Sequence, residues 1–319
     1  MRQPSRGAGT ARGTTRTGVL PLVGLSILLV LALAGIDVLV LSHNNPARAF
    51  GPHYYMALGD SLTFGYQPNL DFSAGFADDL FNTLKPSGVT EAINYGCAGE
   101  TTTTFIQGGC VARFLHHGSY TGAQLGAALA FLKNPRNVGR VSPITLEIGS
   151  NDVIPDWDEN ACTAGPNTDA DLATMDNNLT HTILPELTQA LALPKGARVG
   201  DLHLLNYYNP FAKQCPTSAP FIHRLNDHLA ADAAKFRVPV VDVYNAFGGD
   251  MGAAGNVCTL TWICSSSHDV HPMNAGYTQI ARAVKLTLGL PGGAALPGIV
   301  PVNDAAPVLE AWQRRDDLA

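Results

Sequence analysis

The 319-residue chain has few charged residues and no excess of basic ones. Charged side chains make up 14% of it, with 20 Lys and Arg against 26 Asp and Glu, so the formal net charge at pH 7 is −6. Nucleic-acid-binding domains usually carry a basic surface, so this balance argues against nucleic acid as a partner. Hydrophobic residues make up 46% of the sequence, which excludes a disordered chain and predicts a sizeable buried core.

The first 49 residues have a different composition from the rest. They hold five arginines and one acid, and residues 19–36 form an apolar run about as long as a membrane-spanning helix. With the small-x-small triplet Ala47-Arg48-Ala49, this pattern predicts a secretory signal cleaved after Ala49. The apolar run is long and lies well upstream of the triplet, so an uncleaved anchor over residues 19–41 is the alternative. In both cases we expect the protein to be secreted or otherwise extracytoplasmic.

Spacings typical of metal sites are missing among the six cysteines. No Cys-x-x-Cys pair and no Cys/His cluster with structural zinc spacing is present, so we expect no metal and no cofactor. An even number of cysteines in an exported chain is typical of disulfides, and six cysteines allow fifteen pairings. We predict the sequential set, which closes local loops without crossing: Cys97 with Cys110, Cys162 with Cys215, and Cys258 with Cys264.

From residue 50 onward, short β-rich runs alternate with longer helical patterns. This alternation predicts one doubly wound, flavodoxin-like α/β domain over residues 50–290, with a five-stranded parallel sheet and helices on both faces. Residues 291–319 are rich in Pro, Gly and Ala and predict an extended tail. The predicted strands are 54–58, 91–95, 143–148, 199–207 and 238–243. The predicted helices are 75–84, 123–133, 169–193, 218–236 and 274–288, with Asp169 and Asn274 as N-caps. Long loops are predicted for segments 108–122, 156–168 and 247–267.

Four motifs follow predicted strands or precede the last predicted helix. Gly59-Asp60-Ser61-Leu62 follows the first strand and puts a serine hydroxyl at the carboxyl edge of the sheet, where a nucleophile could lie. The second motif, residues 94–102 with Asn94, Gly99 and Thr101, could bring the backbone N–H of Gly99 close to a ligand. The third, Gly149-Ser150-Asn151-Asp152, brings a side-chain amide to the same edge. His271, before the last helix, is a base that could reach the serine. Each motif alone is equally compatible with a helix cap or a turn.

In this order, the four motifs resemble the blocks of the GDSL or SGNH hydrolase superfamily, over residues 54–288. The resemblance implies that Ser61 is the nucleophile and that His271 is the general base and then the general acid. It also implies an oxyanion hole formed by the backbone N–H groups of Ser61 and Gly99 and the side-chain amide of Asn151. Serine chemistry needs both a base and donors aimed at the developing oxyanion, which agrees with this assignment.

The chain departs from the family pattern at one position. The family commonly has an aspartate three residues before the histidine, but His268 stands there. Asp269 could orient His271, the backbone carbonyl of residue 268 could do so, or no strong orienting group exists. We favour Asp269.

The combined interpretation is an exported lipase or esterase that cleaves carboxylic esters. Its expected partners are small-molecule, lipid or acylated-sugar esters; we expect a monomer that contacts a membrane only through an uncleaved leader. The alternatives are a carbohydrate or peptidoglycan O-deacetylase, and a catalytically silent protein that binds acylated ligands. Candidate pocket residues are His53, Tyr66, Phe72 and Phe105.

Overall fold

The computed structural model of the protein describes residues 53–192 and 200–290. The predicted leader, with its cleavage point and the alternative anchor, and the predicted tail at residues 291–319 lie outside the described residues. Within the described ranges, no helix combines the length and apolar character that crossing a bilayer requires.

A five-stranded parallel sheet forms the centre of the described structure, with strand order β2-β1-β3-β4-β5. The middle of β1, Tyr55 to Leu58, is at most 1% exposed, as expected for a strand covered by helices on both faces. This architecture confirms the predicted doubly wound α/β fold and its five strands. The strands are β1 (Tyr54–Gly59), β2 (Glu91–Asn94), β3 (Val141–Glu147), β4 (Leu202–Leu205) and β5 (Val240–Val241).

Helices connect these strands, and each of the five predicted helices has a counterpart. The helix predicted over residues 169–193 contains a π-helical segment, Leu179–Ile183, between two α-helical parts. The α-helices of the described residues are α1 (Ser61–Phe64), α2 (Phe76–Leu84), α3 (Thr102–Gln107), α4 (Gln124–Lys133), α5 (Ser150–Val153), α6 (Thr168–Asn178), α7 (Leu184–Ala190), α8 (Ala219–Lys235), α9 (Val243–Ala246), α10 (Gly249–Leu260) and α11 (Asn274–Thr287).

Two predicted loops contain regular structure. Residues 247–267, predicted as a long loop, form α10 and the 3₁₀ turn Trp262–Cys264. Burial of one face of α10, including Val257 and Leu260, outweighs its low helix propensity. Residues 156–168 contain a small antiparallel hairpin that pairs Trp157–Asp158 with Thr163–Ala164.

Both predicted N-caps are wrong by one or two residues. Asn167 is the N-cap of α6, and Asp169 lies in the first turn, where it forms an ion pair with Arg224. Met273 is the N-cap of α11, because the side chain of Asn274 accepts a hydrogen bond from Gln67 instead of capping the helix. In each case a tertiary contact competes with the local capping preference.

The described cysteines are all joined, and the three disulfides are the predicted pairs. The bond between Cys97 and Cys110 ties the predicted loop 108–122 to the turn that follows β2. His117 of this loop stacks on Phe64 and its Nε2 lies 2.7 Å from the Phe64 carbonyl oxygen. The loop is therefore fastened to the carboxyl edge of the sheet at two points.

Candidate active site

Ser61 lies at a tight turn between β1 and α1. Gly59 ends the strand with φ +136°, and a Cβ atom at this position would collide with the backbone oxygen of Glu147, so only glycine fits. Asp60 caps α1, since its Oδ1 accepts a hydrogen bond of 2.9 Å from the Leu62 N–H. Ser61 is therefore the first residue of α1 rather than its cap, and its side chain faces the carboxyl edge of the sheet.

A series of short hydrogen bonds connects Ser61 to His271 and Asp269. His271 Nε2 lies 2.7 Å from Ser61 Oγ, and His271 Nδ1 lies 2.7 Å from Asp269 Oδ1. Asp269 Oδ1 also accepts a 2.8 Å hydrogen bond from the backbone N–H of His271. A serine, an imidazole and a carboxylate in this order form an arrangement that can activate the hydroxyl and stabilise the resulting imidazolium.

The electrostatics of Asp269 agree with this contact. Partial burial raises the pKa of the Asp269 carboxyl, but the hydrogen bonds and charge of His271 lower it more, so its pKa lies below the ordinary value. His268 is exposed and has a left-handed backbone, with φ +47°. Its side chain makes no hydrogen bond to another described residue, and the Nδ1 partner of His271 is Asp269.

The loop that carries His271 is held from several sides. The backbone N–H of Trp262 donates a 3.0 Å hydrogen bond to the His271 carbonyl oxygen, and Trp262 lies between Cys258 and Cys264, which are disulfide-bonded. Tyr208, after β4, donates from its hydroxyl to the Val270 carbonyl at 2.6 Å. These contacts fix the imidazole before any substrate binds.

The candidate oxyanion donors lie in the segments that follow β1, β2 and β3. Gly99 has φ +82°, and neither its backbone N–H nor that of Ser61 donates to another described residue. Asn151 Nδ2 donates a 3.0 Å hydrogen bond to the carbonyl oxygen of Glu100, the residue after Gly99. The side-chain amide and the glycine turn are thus directly connected.

Sequence reasoning missed a buried glutamine that joins the first two motifs. Gln124, at the start of α4 and 1% exposed, accepts from the Gly59 N–H at 2.7 Å and donates to the Gly59 carbonyl at 3.0 Å. Its Nε2 also donates to Glu100 Oε2 at 2.9 Å. One side chain therefore links the end of β1 to the turn that contains Gly99.

Two buried carboxyl groups behind Ser61 were also missed. Asp60 is fully buried, and its Oδ2 accepts hydrogen bonds from the hydroxyls of Ser150 and Tyr207 at 3.0 and 3.1 Å. Glu147, the last residue of β3, is 1% exposed. A single charged residue in an otherwise uncharged and mostly buried strand is a signal that could have identified Glu147 from the sequence.

Of the four candidate pocket residues, two lie near the site. The Tyr66 ring is 4.6 Å from the His271 ring, and Phe72 stacks on Tyr66 at 5.8 Å. The other two predictions are wrong: His53 precedes β1, at the opposite edge of the sheet, where its side chain contacts Thr90. Phe105 is fully buried in the hydrophobic core, because α3 turns this side chain inward.

Within the described residues, one group of side chains has the spacing of a metal site: Cys97, Glu100 and Cys110. The two cysteines are bonded to each other. They offer no thiolate, which is the form of cysteine that binds metal, so this cluster does not fit a metal ion.

The sequence profile of the GDSL-like lipase/acylhydrolase family matches residues 57–279, and this protein belongs to that family. It is accordingly a carboxylic ester hydrolase of GDSL type. No curated protein matches the chain in sequence.

Several solved structures are similar to the chain. One is Axe2, an acetylxylan esterase from Geobacillus stearothermophilus, with 17% identity, a TM-score of 0.49, and coverage of 76% of this chain and 96% of that chain. Another is the lipase Lip_vut3 from a goat rumen metagenome, with 20% identity, a TM-score of 0.48, and coverage of 73% and 96% respectively. A third is a lipolytic G-D-S-L family protein from Veillonella parvula, with 16% identity, a TM-score of 0.45, and coverage of 74% and 97%.

Proposed function

We propose that the protein is an exported serine esterase or lipase in which Ser61 attacks the ester carbonyl. The observation that carries this proposal is the continuous series of hydrogen bonds from Asp269 through His271 to Ser61 Oγ, both side-chain contacts being 2.7 Å. A serine hydroxyl is a weak nucleophile at neutral pH and needs a base within hydrogen-bonding distance, which His271 Nε2 provides.

The reaction proceeds in two halves. His271 Nε2 takes the proton of Ser61 as Oγ bonds to the substrate carbonyl carbon, and then gives that proton to the alcohol oxygen as the ester bond breaks. Water next attacks the acyl-serine with His271 again acting as base, and Ser61 is regenerated with release of the carboxylic acid. Asp269, held by the side chain and the backbone of His271, keeps Nε2 directed at the serine and stabilises the imidazolium.

The oxyanion that forms in each half is stabilised by three donors. The backbone N–H groups of Ser61 and Gly99 are free of protein acceptors among the described residues, and the Asn151 amide completes the set. Donors fixed before the reaction begins require little reorganisation when the charge develops, and this effect is commonly the largest electrostatic contribution to catalysis. Gln124 and the Glu100 carbonyl supply that fixation here.

An apolar rim beside Gly99 supports an acyl chain as the part of the substrate bound there. Val111 and Phe114, both on the loop fastened by Cys97–Cys110, are 79% and 80% exposed. A Cβ atom at Gly99 would lie 2.6 Å from Val111 Cγ2, so Val111 borders the proposed oxyanion hole directly. Two large exposed apolar side chains on this one loop, with Val111 beside Gly99, favour lipid or aliphatic esters over small polar ones.

Three disulfides support the extracytoplasmic location, since such bonds persist in oxidising compartments. The secretory signal with cleavage after Ala49 is proposed from the sequence pattern alone.

The test is hydrolysis of p-nitrophenyl esters from acetate to palmitate by the exported protein, purified with its disulfides intact. Ser61→Ala should abolish hydrolysis and labelling by a fluorophosphonate, whereas Ser87→Ala, which changes an exposed serine after α2, should leave both unchanged. A maximum at medium or long acyl chains supports the lipase or esterase assignment. Hydrolysis restricted to acetate, together with acetate release from acetylated sugars, would favour an O-deacetylase, and a folded protein with neither hydrolysis nor labelling would favour a silent binding protein.

A further inference from the structure

Asp60 and Glu147 form a pair of buried carboxyl groups directly behind the turn that carries Ser61. The backbone N–H of Asp60 donates to the Glu147 carbonyl oxygen at 3.0 Å, and the two side chains are fully buried and 1% exposed, respectively. No Lys, Arg or His of the described residues forms an ion pair with either of them. Two buried charges side by side without a cation are strongly unfavourable.

The two carboxyl groups differ in their supply of hydrogen-bond donors. Asp60 accepts from the Leu62 N–H and from the hydroxyls of Ser150 and Tyr207. Both oxygens of Glu147 are buried and accept no well-formed hydrogen bond from a described residue, although the Tyr207 hydroxyl and the Thr63 backbone N–H lie close enough to lower its pKa. The Asp60 environment fits a carboxylate, which only accepts hydrogen bonds, and the Glu147 environment fits a carboxylic acid, which can donate one.

The surroundings of Glu147 raise its pKa on balance. Burial raises the pKa of Glu147 well above its ordinary value, and the charge of Asp60 raises it further, more than the polar groups of Tyr207 and Thr63 lower it. Tyr208 and Tyr277 are the other titratable side chains that sense this charge, and burial raises their own pKa values well above ordinary. The described surroundings of Glu147 are therefore acidic or neutral.

We propose that Glu147 is a positioning residue for ester hydrolysis, which as a neutral carboxylic acid donates a hydrogen bond to Asp60 and leaves the pair with one negative charge. Asp60 then keeps its hold on the Leu62 N–H, and with it the turn that presents Ser61. If Glu147 ionised, two adjacent carboxylates would repel each other inside the core, and Asp60 would be displaced from this contact. This inference rests on the proposed role of Ser61 as nucleophile.

The test compares Glu147→Gln with Glu147→Ala in the exported protein. A glutamine amide can still donate to Asp60 without being able to ionise, so this variant should keep kcat within about threefold of wild type at pH 7. Glu147→Ala should lower kcat by about tenfold or more with little change in KM, because Asp60 loses a buried donor. The wild-type kcat should decline on the alkaline side as Glu147 ionises, and Glu147→Gln should not show this decline.

A second measurement does not depend on activity. The infrared spectrum of the wild type at neutral pH should contain the carbonyl stretch of a protonated carboxyl group. Subtracting the spectrum of Glu147→Gln, which lacks this band, should reveal it. Asp232→Asn is the control, because Asp232 is another buried carboxyl, on α8, that differs from Glu147 in being paired with a cation, Lys235. Its loss should leave the pH profile of kcat unchanged.

Three results would overturn the inference: no such band, identical alkaline profiles of wild type and Glu147→Gln, or a loss of kcat in Glu147→Gln as large as in Glu147→Ala. The infrared band and the glutamine variant decide the question even if Glu147→Ala fails to fold. A wild type without hydrolysis or fluorophosphonate labelling would instead refute the proposed function, and the infrared band would still report the proton.

Discussion

Removing the carboxylate of Asp269 tests which group orients His271. Asp269 Oδ1 accepts two hydrogen bonds, 2.7 Å from the imidazole Nδ1 and 2.8 Å from the backbone N–H of His271. Hydrogen bonds to a charged group contribute about 1.5–3 kcal/mol each, so losing both corresponds to roughly 3–6 kcal/mol. At 1.36 kcal/mol for each factor of ten, Asp269→Ala should lower kcat by about 10²–10⁴.

The assay is steady-state hydrolysis of a p-nitrophenyl ester, with circular dichroism to verify folding. His268→Ala is the control, because the exposed His268 side chain makes no hydrogen bond to a described residue and both residues carry the same Cβ atom at φ +47°. Its kcat should stay within about threefold of wild type. If Asp269→Ala is folded and nearly as active as wild type, Asp269 is not the orienting group, and the backbone carbonyl of residue 268 becomes the better assignment.

Two further variants test the proposed oxyanion site and the half-buried carboxyl of Asp152. Gly99→Ala should lower kcat by about tenfold or more, because φ +82° strains an alanine and its Cβ would lie 2.6 Å from Val111 Cγ2. Adding Val111→Ala removes this contact but not the backbone strain. Full recovery of kcat in the double variant would therefore contradict the strain explanation. Burial raises the pKa of Asp152 to about 6. The folded state therefore holds this proton more tightly than the unfolded state, and the free energy of unfolding should fall by up to ~3 kcal/mol as the pH rises from about 4 through 6. In urea denaturation Asp152→Asn should flatten this part of the pH profile, and an unchanged profile would refute the assignment.

The succession of strands along the chain and the motifs at their ends could be predicted because both depend on local sequence. Parallel strands place their carboxyl ends at one edge, so residues that directly follow β1, β2 and β3 must lie near each other. The proximity of Ser61, Gly99 and Asn151 can therefore be predicted without any knowledge of side-chain packing. The disulfide between Cys97 and Cys110 could also be predicted from local sequence, because it joins two residues only 13 positions apart.

Features that depend on tertiary contacts could not be predicted in this way. Helix α10 has little intrinsic helix propensity and forms because one of its faces is buried. The aromatic residues Phe105 and Tyr66 are similar in sequence terms, yet one is in the core and the other is beside His271. Which way a side chain points at the end of a short helix or turn is decided by packing, and local patterns carry little of that information.

The hydrogen-bond network behind the carboxyl edge of the sheet connects the motifs through a residue that lies outside them. Gln124 lies in none of the four motifs, but its amide binds both polar backbone groups of Gly59 and the side chain of Glu100. The Glu100 carbonyl in turn receives the Asn151 amide. A displacement of α4 would therefore move the turn before Ser61 and the proposed oxyanion donors together. Because buried polar networks lose stability when they are only partly satisfied, the residues that fix this geometry are as constrained as those that perform the chemistry.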